Sequence, residues 1–174
     1  MSRLIVRRIV LDDVEALREI RLEGITRHPE AFSRDPEREA GLTPEQWHER
    51  IAQSWWFVCL DGDDWAGIAS FSRQPSPKTA HVGSFGAMYV REAWRGKGAG
   101  DALVTAAIDE AEKRVEMLIL TVNAENKAAI ALYQRHGFAE YGRAPRALKI
   151  GERYYDEIEM VRMLTAPLVL PSSH

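Results

Sequence analysis

Apolar residues recur along this chain in two rhythms, short unbroken runs and stripes spaced three and four apart. The first run, LIVRRIV from Leu4 to Val10, predicts a strand. Asp12, followed three residues later by Glu15, then forms a capping-box-like start for a helix with Val14, Leu17 and Ile20 on one face. Arg27 to Gly41 is polar, carries Pro29 and Pro36, and reads as a loop. A second helix opens with Thr43 as N-cap, Pro44 in its first position and Gln46 at its third, turning Trp47 and Ile51 inward. WWFVCL and WAGIASFS flank DGDD, and Asp-Gly between β-rich runs predicts a hairpin.

After a loop with Pro75 and Pro77, AHVGSFGAMYV (Ala80 to Val90) is a third long strand, and it feeds the glycine-rich stretch RGKGAG, Arg95 to Gly100. The helix that follows carries Val104, Ala107, Ile108 and Ala111 at helical spacing. MLILTV (Met117 to Val122) shows little alternation, as expected of a strand covered on both faces. Asn126 to Arg135 places Ala129, Leu132 and Tyr133 on one helix face, and Gly137 stops it. Two strands joined near Gly151 complete the pattern to Leu164. The order β, α, α, three strands, α, β, α and two strands predicts an α+β sandwich on a mixed sheet.

Composition narrows the function more than the fold. With 174 residues, 45% of them apolar, the chain suits one domain with a sizeable core, expected over residues 1–165 with residues 166–174 a loose tail. A net charge of −3 argues against a nucleic-acid partner held by a general basic surface. Cys59 is the single cysteine, so an intramolecular disulfide is impossible, which fits a reducing compartment; among Phe57, Val58 and Leu60 it reads as a core residue. The N-terminus lacks a secretory apolar core, and no apolar run approaches the roughly 20 residues that span a bilayer. A cytoplasmic protein without a membrane partner is expected. No His, Cys, Asp or Glu spacing resembles a metal site.

The glycine-rich stretch carries the candidate chemistry. A strand, a glycine turn and a helix start together make an anion cradle of unpaired N–H groups. Lys97 is followed by Gly98, so no hydroxyl is placed as in an ATP-binding P-loop; Asp101 occupies the third glycine position of a dinucleotide fingerprint. Arg95, Gly98 and Gly100 do meet R-x-x-G-x-G. This resembles the pyrophosphate loop of the GNAT superfamily of acetyl-CoA-dependent N-acyltransferases. VNAENKAAIALYQRHGF, Val122 to Phe138, is similar to a second signature of that family, matched by Asn126, Ala129, Leu132, Tyr133, Gly137 and Phe138. The resemblance spans roughly residues 4–164 and is strongest from 81 to 138.

The resemblance implies an α/β/α sandwich whose mostly antiparallel sheet of six to seven strands is flanked by about four helices. It implies direct transfer of an acetyl group from acetyl-CoA to a primary amine, of a small molecule or a peptide N-terminus, by a chain that can pair as a homodimer. Backbone N–H groups of Arg95, Gly96, Lys97, Gly98, Ala99 and Gly100 would receive the pyrophosphate, with Arg91, Arg95 and Lys97 supplying local positive charge. The backbone of Met88 and Val90 would pair with the pantetheine arm and polarise the thioester carbonyl. Tyr133 falls where a phenol protonates the leaving thiolate, although it also continues an apolar helix face. Asn126 would meet the pantetheine amides or cap its helix. Many relatives carry a Glu on the strand before the loop, and VGSFGAMYV holds no acid. His81 is the candidate base in its place, with Glu30, Glu37, Glu39, Asp156 and Glu157 as others. A second reading is a non-catalytic sensor that binds acyl-CoA.

Overall fold

The computed structural model describes residues 3–164. The tail predicted for residues 166–174 lies outside the described residues. Seven strands form one sheet: β1 (Leu4–Arg8), β2 (Trp55–Asp61), β3 (Asp64–Arg73), β4 (Val82–Val90), β5 (Met117–Asn123), β6 (Ala139–Ile150) and β7 (Arg153–Met163). Their spatial order is β1-β2-β3-β4-β5-β7-β6, and every neighbouring pair is antiparallel except β4–β5. Five α-helices accompany them among the described residues: α1 (Val14–Arg27), α2 (Pro36–Ala40), α3 (Pro44–Gln53), α4 (Ala99–Ala111) and α5 (Lys127–Arg135).

Two apolar clusters define the layers. Leu103, Val104, Ala107 and Ile108 of α4 and Tyr133 of α5 pack with Phe57, Phe71 and Phe85 on one face of the sheet. Leu17 and Ile20 of α1 and Trp47 and Ile51 of α3 pack with Trp56, Val58, Ile68 and Tyr89 on the other. Alternation along β2 and β3 therefore feeds both cores, which is why WWFVCL reads as an unbroken apolar run.

The predicted α3 start is present in full: Thr43 Oγ1 accepts from Gln46 N–H at 3.2 Å, and Gln46 Oε1 accepts from Thr43 N–H at 2.9 Å. The α1 start differs. Asp13, not Asp12, turns its carboxylate back to Val10 N–H at 2.9 Å and holds Arg7 through bonds of 2.6 and 2.9 Å. A 3-10 turn over Leu11–Asp13 precedes the helix. The segment read as a loop contains a second 3-10 turn, Pro29–Ala31, and α2, capped by Asp35, whose carboxylate accepts from Arg38 N–H at 3.2 Å. A five-residue helix is too short to show a stripe, so only its Asp-Pro cap could announce it.

Strand β4 changes character midway. Ile68 faces Tyr89 but Ser70 faces Gly86, so β4 carries one residue more than β3 between these pairs. The bulge falls at Ala87, whose φ of 52° is left-handed. One extra residue reverses which face the following side chains take, and so Phe85 enters one core while Tyr89 enters the other.

Candidate active site

Strands β4 and β5 are paired only from Val82–Met117 to Ser84–Ile119. Beyond Ser84 they part, and a cleft of about 1200 Å³ opens between them, lined by β4, the glycine loop, α5 and the 28–34 segment. Met88, Val90, Arg95, Gly96, Gly98, Gly100, Asn126 and Tyr133 all line it. Of the residues expected to meet the cofactor, Lys97 and Ala99 do not: the Lys97 side chain is exposed and Ala99 is buried at the head of α4. The Ala99 N–H still fits the expectation, whereas the N–H groups of Lys97 and Arg95 already donate within the loop, to Trp94 O at 3.4 Å and to Glu92 O at 3.1 Å.

The loop geometry follows from its glycines. Gly96 and Gly98 have φ of 69° and 91°, conformations that disfavour any side chain, and a Cβ at either would meet no protein atom within 4 Å. Open space where a side chain would stand is what a cradle for another molecule requires. Ala102 N–H is the first in α4 to reach a backbone acceptor, Gly98 O at 3.0 Å. The N–H groups before it sit at the positive end of a 13-residue helix. Pyrophosphate fits such a site.

Arg95 serves the loop differently from the expectation. Its Nε donates to Val90 O at 3.0 Å and its Nη2 lies 3.0 Å from His28 Nε2, so the side chain ties the loop to the end of β4 and to the 28–34 segment. Val90 O is thus already engaged. Asn126 caps α5, its Oδ1 accepting from Ala129 N–H at 3.1 Å, the plainer of its two expected roles. Arg91, with Tyr89, grips Glu23 of α1: Arg91 Nε donates at 3.0 Å and Tyr89 Oη at 2.9 Å. That contact holds α1 against the bulged end of β4.

Tyr133 is 6% exposed, its ring held edge-on by Phe85 and Phe138 at centroid distances of 5.8 and 5.9 Å. Its hydroxyl has no hydrogen-bond partner among the described residues, although the residue lines the cleft. Burial pushes the phenol pKa well above its ordinary value, so the hydroxyl keeps its proton.

The candidate bases separate clearly. His81 is exposed, precedes β4 at the paired end of the strand, and does not line the cleft; its carbonyl instead accepts from Glu116 N–H at 2.7 Å. The strand end that begins at Val82 is the closed end, which is why a residue there cannot reach the opening. Glu37 is exposed outside the cleft, and Asp156 is bound to Arg143 Nη2 at 2.8 Å and to Arg146 N–H at 2.9 Å. Glu39 is 2% exposed and paired with Arg21 and Arg50. Glu30 and Glu157 do line the cleft. Glu157 faces Asn123 across β5–β7, and burial together with the nearby Glu159 charge raises its pKa.

Several charged residues of the cleft carry no part in the sequence motifs. Arg21 and Arg50 line it, and Asp101 bridges α4 to α5 through His136 Nε2 at 2.9 Å and Arg135 Nη2 at 3.2 Å. Arg21 had a signal: it interrupts the buried stripe Leu17, Ile20, Gly24. A cation on a buried helix face calls for a reason.

The profile of the acetyltransferase (GNAT) family matches residues 15–138. An L-amino acid N-acetyltransferase of Escherichia coli is 30% identical over 170 residues, covering 94% of this chain and 99% of its own. A GCN5-related N-acetyltransferase of Kribbella flavida is 30% identical and superposes with a TM-score of 0.76, over 92% of this chain and 97% of its own. The structure of yncA from Salmonella typhimurium, solved with its cofactor acetyl-CoA, has a TM-score of 0.81 at 21% identity, over 99% and 100%. The chain belongs to the acetyltransferase (GNAT) family. It is an enzyme of the N-acetyltransferase class.

Proposed function

We propose that the protein moves the acetyl group of acetyl-CoA to the primary amine of a small, amino-acid-like molecule. The observation that carries this reading is the meeting of three features in one cleft: parted parallel strands, an α4 N-terminus behind left-handed glycines, and a buried phenol with an unengaged hydroxyl. Similarity to an L-amino acid N-acetyltransferase over nearly the whole of both chains supports the acceptor class.

Acetyl-CoA supplies an acetyl group activated as a thioester. Backbone N–H groups of Gly96, Gly98, Ala99 and Gly100 receive its pyrophosphate, and the open edge of β4 at Met88 and Val90 offers backbone groups to its amide-bearing arm and thioester carbonyl. Tyr133 Oη holds a proton throughout the working pH range and gives it to the departing thiolate, a role worth about 10²–10⁴-fold in rate. Glu157, with its raised pKa, accepts the proton that an ammonium acceptor must lose before it can attack, directly or through water.

The test is to mix the protein with acetyl-CoA and a panel of amines, free amino acids and short peptides while following thiol release. Thiol release that depends on a free amino acid is the expected result. Tight CoA binding with no turnover on any amine would make the protein an acyl-CoA sensor, and turnover only with peptides would move the acceptor to a protein N-terminus.

A further inference from the structure

The 28–34 side of the cleft contains a cation that packing alone does not explain. Arg21, on the buried face of α1, is 7% exposed yet lines the cleft. Its Nε lies 3.4 Å from Glu39 Oε1, and the Phe32 ring covers its guanidinium at 4.9 Å. Nη1 is shut off from solvent with no hydrogen-bond partner, and Nη2 has none among the described residues. Glu39 is not Arg21's alone, since Arg50 Nη1 holds the same oxygen at 2.7 Å. One buried carboxylate therefore serves two guanidiniums, and Arg34, also on the cleft wall, adds a third cation. A buried guanidinium with an unpaired edge is unfavourable until acceptors are supplied from elsewhere.

We propose that Nη2 of Arg21 is the seat for the carboxylate of an amino-acid acceptor, with Glu39 and Arg50 fixing the plane of the guanidinium. The inference rests on the acetyl transfer proposed above. Nη1 is shut in by the fold, so Nη2 is the nitrogen that a carboxylate reaches, and its N–H groups are held in a fixed plane as those of a rotating ammonium are not. The acceptor's amine then faces the carboxylates that reach the same cleft, Glu30 and Glu157. A zwitterion meets opposite charge at both of its ends, and an amine without an acid group leaves Arg21 unpaired.

The experiment compares, on the wild-type enzyme with acetyl-CoA, each L-amino acid that turns over with its amide and with the amine lacking the carboxylate. kcat/KM should fall on the order of 10–100-fold when the acid is neutralised or removed, chiefly through KM. Arg21→Lys keeps the charge but loses the planar, fixed donor, and should raise KM for the acid roughly 10-fold and narrow its preference over the amide. Equal kcat/KM for acid, amide and amine in the wild type overturns the seat while leaving acetyl transfer standing. Because that comparison needs no variant, instability of Arg21→Lys does not remove the test. Should no amine turn over, the transfer reading falls by itself, and calorimetry with CoA-loaded protein decides the seat. N-acetyl-L-amino acids should then bind at least about 10-fold more tightly than their amides; equal affinity overturns it.

Discussion

Tyr133 meets two demands at once, closing an aromatic core with its ring while showing a hydroxyl to the cleft. Tyr133→Phe keeps the first and removes the second, so kcat should fall about 10²-fold or more with CoA affinity little changed. Wild-type turnover in that variant would dismiss the phenol as acid. Glu157 is the second residue to test. Its carboxyl must be ionised to act as base, and its raised pKa places the acid limb of kcat/KM above the ordinary carboxylate value of about 4.3. Glu157→Gln should lower the rate and abolish that limb, and an unaltered pH profile would point to another proton acceptor. At this scale the sequence was readable where a residue sits inside a motif, as Tyr133, Gly98 and Asn126 do. For the base it offered Glu30 and Glu157 only among several acids and behind His81, because β7 and the 28–34 segment are brought to one cleft by the fold alone. His81 shared a strand with the cleft in sequence, yet stands at its closed end.

Among elements, the head of α4 is the most exacting. Gly98 is its N-cap with a left-handed φ of 91°, so Gly98→Ala should destabilise the protein by about 1 kcal/mol through backbone strain alone, since no atom crowds the site. Gly98→Glu adds bulk and negative charge where the pyrophosphate is proposed to lie, and should abolish CoA binding measured by calorimetry; unchanged affinity would remove the loop from the site. Elements announced by caps and periodicity, α3 and α4 among them, were legible from the chain. The bulge in β4 was not. A left-handed alanine costs local energy that only its neighbours in the fold repay, and nothing in VGSFGAMYV marks Ala87 as the residue that takes it.

For the whole molecule, ion pairs make stability fall in acid. A hydrogen bond from Arg7 holds Asp13 below its ordinary pKa; burial pushes Glu23 upward, but bonds from Arg91 and Tyr89 outweigh it and leave its pKa lowered. A carboxylate with a depressed folded pKa contributes stability that is complete above its unfolded value of about 4 and is lost as pH falls through the folded one. The melting temperature should therefore drop between about pH 5 and pH 3, and Asp13→Asn should shrink the drop. An identical drop in the variant would show that the Arg7 pair contributes little.

The short β4–β5 pairing has a mechanical side. Two stiff plates, β1–β4 and β5–β7–β6, share a seam that ends at Ser84 and Ile119. A bound molecule that offers amides along the open edge of β4 acts as a splint laid where the missing rungs would be. Loading and rigidity then rise together, and hydrogen exchange along that edge should slow when CoA is added. On the proposed mode of binding, the molecule should be most pliant when empty and stiffest when acetyl-CoA is in place.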